Sequence, residues 1–140
     1  MTEERIHHGG TEARRKLILE DLTQELIGAA IEVHRHLGPG LLESAYEECL
    51  CHELTIRGIH FERQVSIPIE YKGIKLDCGY RIDLLVENAV ILELKSVEKI
   101  TNLDRAQLLT YLKLTSKKLG FIFNFNCPVL SRDGLVRLVL

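Results

Sequence analysis

The sequence predicts one α/β domain, a mixed β-sheet flanked by helices in the order α-α-β-β-β-α-β-β. Three observations carry this. Two stretches of helical apolar period open the chain before Gly58. Strand-like runs follow from Phe61, the first of them with its apolar residues at odd positions. One further helical stretch, about Leu103 to Thr115, separates the third strand from the last two. At 140 residues the chain has the length of one domain with a real core.

Residues 1–16 lack periodicity, include Gly9-Gly10 and read as a mobile N-terminal tail, which leaves 17–140 as the domain. The first helix runs from about Leu22 to Leu37. Asp21 with Gln24 resembles a capping box, and Leu22, Leu26, Ala30, Val33 and Leu37 form one apolar stripe. Gly38-Pro39-Gly40 stops it, and a second helix spans about Leu41 to Arg57. In the run FERQVSIPIEY, Phe61, Val65, Ile67, Ile69 and Tyr71 alternate, and Pro68, which has no backbone donor, marks an edge or a bulge. Lys72-Gly73 is a two-residue hairpin turn that pairs Tyr71 with Ile74. Beyond it the apolar residues occupy even positions from Ile74 to Val86, with Gly79 as a bend or bulge. The third strand is Val90 to Val97. Its following helix has Thr101 or Asn102 as N-cap. A fourth strand, KLGFIFNFN, places Phe121, Phe123 and Phe125 on one core face. SRDG turns the chain into the last strand, Leu135 to Leu140.

With 46% hydrophobic and 27% charged residues, the composition is that of a soluble globular protein, and no apolar run reaches the length of a membrane span. The first residues lack the apolar stretch of a signal peptide, so a cytoplasmic location is expected. Cys49, Cys51, Cys78 and Cys127 show no zinc-finger spacing and are expected to stay reduced. A net charge of −2 exerts no global pull on nucleic acid. Between Lys95 and Lys118, however, six basic residues stand against two acidic ones. That surplus is either a polyanion-attracting patch or a solvated helix face.

The third strand raises the chemical question. Within VILELKSV, Glu93 and Lys95 are two positions apart and so share a face. A three-residue loop, Glu87-Asn88-Ala89, aligns the apolar faces by pairing Val86 with Val90, Leu84 with Leu92 and Ile82 with Leu94. In that register Asp83 faces Glu93, with Cβ atoms roughly 5 Å apart. Two facing carboxylates repel and need a stabilising partner. Either Lys95, alone or with Arg81, neutralises them, or they share a divalent cation such as Mg²⁺.

These residues carry a resemblance. Asp83 followed by Glu93-Leu94-Lys95 resembles the Asp-x(n)-Glu-x-Lys signature of the PD-(D/E)XK nuclease superfamily. Gln107-Leu108-Leu109-Thr110-Tyr111 is similar to the QxxxY motif of RecB-like exonucleases, and its i,i+4 spacing sets amide and phenol on one helix face. Gly40-Leu41-Leu42-Glu43-Ser44-Ala45-Tyr46 resembles the GxxExxY family of small proteins in the same superfamily. The resemblance covers about Leu22 to Leu138 and implies a restriction-endonuclease-like core. It also implies Mg²⁺ or Mn²⁺ held by Asp83 and Glu93, with Glu43 reaching the centre directly or through water and the Leu94 carbonyl nearby. Lys95 would orient the attacking water and stabilise developing charge, while Gln107 and Tyr111 would contact the phosphate or the metal-bound water. The proline of the signature is absent, since Ile82 precedes Asp83.

The implied function is a metal-dependent nuclease that hydrolyses phosphodiester bonds in DNA, with RNA as a second possible substrate. The alternative is a catalytically inactive nuclease-fold module that binds nucleic acid or a protein partner. A homodimer fits so small a nuclease, because two sites can engage two strands. Each site residue also has a plainer role open to it. Glu43 complements a helix N-terminus, Gln107 is a surface residue, and Tyr111 is a core ring with a wet hydroxyl. Tyr46, one turn from Glu43, is expected to pack rather than react.

Overall fold

The computed structural model describes residues 8–140, with side chains at 14 and from 18 onward. Helical apolar spacing builds the first layer. Helix α1 (His8–Leu37) buries Leu26, Ala29, Ala30 and Val33, an i, i+3, i+4, i+7 stripe. It ends where the Gly38 N–H bonds to the His34 carbonyl at 2.8 Å with φ +69°, a left-handed cap that glycine adopts without strain. Helix α2 (Glu43–Ile56) buries Tyr46, Leu50, Cys51 and Leu54 in the same core. Arg57 ties the two helices together by pairing with Glu53 at 2.8 Å and with Glu25 of α1 at 3.0 Å.

The strands are β1 (Phe61–Ser66), β2 (Ile69–Tyr71), β3 (Ile74–Leu76), β4 (Arg81–Val86), β5 (Val90–Lys95), β6 (Leu119–Asn124) and β7 (Leu135–Val139). Helix α3 (Asn102–Thr115) connects β5 to β6, and a short helix α4 (Leu130–Asp133) precedes β7. Five strands form a mixed sheet in the order β1-β4-β5-β6-β7, in which only β5 and β6 run parallel. A parallel pair needs a long crossover, and α3 supplies it. The loop Glu87-Asn88-Ala89 sets the expected register, Val86 against Val90 and Leu84 against Leu92. Tyr71 pairs with Ile74, also as expected.

Both faces of this sheet are covered. Helices α1 and α2 pack on Leu84, Val86, Leu92, Leu94, Phe121 and Phe123. Helix α3 covers the opposite face with Leu108, Tyr111 and Leu112 against Ile82, Leu85, Ile91 and Ile122. Central strands buried on both sides are apolar at nearly every position, which accounts for the runs LLV, VILEL and LGFIF. No helix among the described residues is long and apolar enough to cross a membrane.

Six expectations need correction. Helix α1 begins at His8, not near Leu22, because residue types such as Ala, Lys and Leu, which fill 13–17 with arginine, favour helix whether or not they continue an apolar period. Of the expected tail, residues 1–7 lie outside the described residues and the rest is helical. The two long strands of the first hairpin are each broken, at Ile67-Pro68 and at Gly79 (φ +82°), so β2 and β3 form a separate ribbon. The segment SRDG is mostly the single turn α4, with Asp133 accepting from the Val129 N–H at 3.2 Å. The basic stretch does not form one patch. Lys117 bonds Asn88 beside the β4–β5 loop, whereas Lys95 pairs with Asp104 at the other end of α3. Finally, the pairing of Ile82 with Leu94 does not form, for a reason that lies in the site itself.

Gly134 sits where the chain leaves α4 for β7. Its carbonyl accepts from the Asn124 N–H at 2.7 Å, and a Cβ there would lie 2.2 Å from the Asn124 carbonyl oxygen. Gly134→Ala is therefore expected to destabilise the fold by about 1–3 kcal/mol, the usual range for overpacking. Urea unfolding will show this as a lower midpoint at unchanged slope.

Candidate active site

The antiparallel ladder between β4 and β5 runs from Val86↔Val90 to Leu84↔Leu92 and then stops. At the next position side chains replace it. The Asp83 N–H donates to Glu93 Oε2 at 3.0 Å, and the Leu94 N–H donates to Asp83 Oδ2 at 2.8 Å. Each carboxylate thus takes a backbone donor of the other strand. On the far side of β4, Gln64 of β1 has φ +52° and is the one position missing from an otherwise continuous β1–β4 register. Its amide donates to Asp83 Oδ1 at 3.4 Å and to Glu47 Oε1 at 2.9 Å. The distortion moves Ile82 onto the α3 face while Leu84 stays on the α1–α2 face. Ile82 therefore cannot face Leu94.

The carboxylates were expected on a polar face. Because α3 covers that face, Glu93 is only 7% exposed. Burial, and next the charge of Asp83, push its carboxyl up to about 8. Burial also holds Asp83 above the ordinary carboxylate range. Neither acid has an ion-pair partner among the described residues. Lys95 Nζ lies 3.7 Å from Asp104 Oδ1, and Arg81 is exposed and pairs with neither acid. The neutralised salt-bridge cluster considered from sequence is thus not what the structure builds.

Glu43 opens α2 and turns toward the end of β5, where its Oε2 accepts from the Ser96 N–H at 3.4 Å. Its negative charge is felt by both Asp83 and Glu93. It does not complete a three-acid cluster: among the described residues no group of three or more His, Cys, Asp or Glu side chains is placed to hold a metal ion. Tyr46 packs, as expected. It is fully buried, its ring stacks on Phe125 at 4.4 Å, and its hydroxyl bonds the Gly38 carbonyl and the Leu41 N–H, which fixes the loop that presents Glu43.

Gln107 and Tyr111 lie one turn apart on the sheet side of α3, and the Gln107 amide donates to the Tyr111 hydroxyl at 2.9 Å. Tyr111 is buried. Its phenol is pushed up by that burial and then by the charge of Glu93, which places it beside the carboxylate pair. An open cleft of about 410 Å³ runs along this flank of α3, past Tyr80, Leu103, Asp104, Gln107 and Leu114.

Two positioning residues escaped the sequence. Asp104 closes the α3 capping box with Thr101 and also holds Lys95. Asn124 is 3% exposed, and its amide grips Val97 on both sides: Nδ2 donates to the Val97 carbonyl and Oδ1 accepts from its N–H, each at 3.0 Å. That clamp fixes the chain just past Lys95. Its only sequence signal is a polar residue interrupting FIFNF. Among the described side chains, the histidines and thiols stay outside the site. His34 is buried and donates to the Cys127 carbonyl at 2.9 Å, and all four cysteines are free.

The sheet order, the facing acids and the adjacent lysine agree with a comparison against known families, in which a model described as the PD-(D/E)XK nuclease superfamily matches residues 20–138. The chain belongs to the PD-(D/E)XK nuclease superfamily. Its sheet and flanking helices are accordingly restriction-endonuclease-like. No curated protein and no solved structure matched the chain. Within the matched residues, Asp83, Glu93 and Lys95 stand in the order Asp-x(n)-Glu-x-Lys. The donor set suits a hard cation. Mg²⁺ typically takes one or two carboxylates and keeps several waters; after the backbone bonds Glu93 retains Oε1, and Asp83 retains an Oδ1 whose remaining bond, from Gln64, is 3.4 Å long.

The raised Glu93 carboxyl has a consequence for stability. The folded state binds this proton more tightly than the unfolded state, whose carboxyl titrates near 4.5. Folded protein therefore holds more protons between about pH 4.5 and 8, and stability falls as pH rises through that window. Metal-free protein is expected to lose Tm across the window, by about 4 °C for each kcal/mol. Glu93→Gln should flatten the profile. A wild-type Tm that rises with pH would contradict the assignment.

Proposed function

We propose that this protein is a Mg²⁺- or Mn²⁺-dependent cytoplasmic nuclease of the GxxExxY type that hydrolyses phosphodiester bonds in DNA, with RNA as a second substrate. One observation carries the reading. Buried Glu93 and half-buried Asp83 lie side by side with no cationic side chain among the described residues paired to either, and such a pair is stabilised by a bound cation. Asp83 Oδ1 and Glu93 Oε1 would hold the ion, with Glu43 reaching it through water. The chemistry it supplies when bound is polarisation of the scissile phosphate and a lowered pKa for the attacking water. Lys95, steadied by Asp104, faces the charge that develops on the phosphate. Gln107 gives one amide proton to Tyr111 and keeps its other proton and its carbonyl for a phosphate oxygen or a water.

The test uses linear, supercoiled, single-stranded and branched DNA, and RNA, each with Mg²⁺, with Mn²⁺ and with neither. Cleavage should require the metal. It should fall by roughly 100-fold or more in Asp83→Ala and in Glu93→Ala, since even outer partners of metal ligands are worth 10–100-fold. Mg²⁺ should also raise the Tm of the wild type and not of Asp83→Ala. Nucleic-acid binding without cleavage, and without a metal response, would instead establish the inactive binding module.

A further inference from the structure

Asp104 holds Lys95 but not the other cations at this end of α3. Lys99 and Arg105 are both exposed, and neither has an ion-pair partner among the described residues. Both line an open, largely polar cleft of about 460 Å³ between the β5–α3 connection and the β6–α4 loop. Arg132 lines it too, but is committed to Asp133 at 2.9 Å. Glu98 is the remaining acid on the wall and pairs with neither cation. Asn124, the register partner of Lys95, lines the cleft, which sets its wall beside the strand end that carries the lysine. Asn126 adds a polar wall. One of its amide protons goes to the Val97 carbonyl at 3.3 Å, which leaves the rest of the amide facing out.

Charge elsewhere narrows where a polyanion can lie. The α1–α2 face carries Glu32, Glu47, Glu48 and Glu53, and the nearby Arg57, like Arg63 of β1, is already paired with acids. With a net charge of −2 the protein as a whole does not attract nucleic acid, so affinity must come from a local cationic surface. We infer that the cleft beside Asn124 is a backbone-binding track, in which Lys99 and Arg105 each neutralise a phosphate of the substrate strand next to the one at the carboxylate pair. The inference rests on the nuclease reading. It adds the direction in which the strand leaves the site.

The test is fluorescence anisotropy of a labelled single-stranded DNA oligonucleotide with the full chain in metal-free buffer, titrated between about 50 and 200 mM NaCl. Two lost phosphate contacts should weaken binding of the Lys99→Ala, Arg105→Ala double variant roughly tenfold. The salt slope should become shallower by about 1.5, at roughly 0.7–0.9 per phosphate. A Lys117→Ala, Lys118→Ala variant at the other end of α3 should bind like the wild type. An unchanged slope in the first variant, or an equal loss in the second, overturns the track. If the wild type binds no oligonucleotide, the track fails. If it then also shows no metal-dependent rise in Tm, the nuclease reading fails with it. A retained Mg²⁺ response in the first variant separates the two.

Discussion

The N–H groups of Asp83 and Leu94 donate to the carboxylates of Glu93 and Asp83, where a regular sheet would offer carbonyl oxygens. This exchange holds two acids together in the interior at the cost of the β4–β5 ladder. Each acid loses part of its hydration, and the backbone donors replace only some of it. The remaining strain is electrostatic: two carboxyl groups at one position, both pushed upward, with α3 excluding the water that would screen them. The end of the β4–β5 ladder, the left-handed Gln64 and the switch of Ile82 to the α3 face all accompany this single insertion.

The elements around the pair exist largely to hold its neighbours still. Asn124 binds the Val97 peptide unit as a strand would, although no strand is there, and so extends the order of β5 past Lys95. The capping box at Thr101 serves the helix and the site together, because the carboxylate of Asp104 that accepts from the Thr101 N–H also lies next to Lys95 Nζ. Tyr46 does the same for the α1–α2 loop and Glu43. Such dual use suits a domain this small, in which few residues can be spared for support alone.

An inert module and an enzyme differ in what they gain from this arrangement. A binding surface gains nothing from burying two acids that repel each other and any polyanion near them. A site that takes up a hard cation does, since the ion relieves the repulsion and offers a phosphate an electrophile. The free Oε1 of Glu93, an Asp83 Oδ1 held only by a 3.4 Å bond from Gln64, and a lysine held by Asp104 rather than by the pair itself are consistent with the second case.

By itself the sequence determined the elements that depend on local or period-two patterns. The α2 and α3 helices, the hairpin turn at Lys72-Gly73 and the loop of 87–89 followed from spacing and turn chemistry, and the loop's odd length alone brought Asp83 opposite Glu93. Motif resemblance then named the lysine, Gln107 and Tyr111. Tertiary structure decided what spacing cannot express. Whether Glu93 faces water or a helix depends on α3 closing over the second face of the sheet, a contact between segments with no shared pattern. The early start of α1, the breaks at Pro68 and Gly79, and the Asn124 clamp are likewise decided between distant parts of the chain. A sequence shows which residues share a face; only packing decides what covers that face, and burial is what turns two ordinary acids into a strained pair.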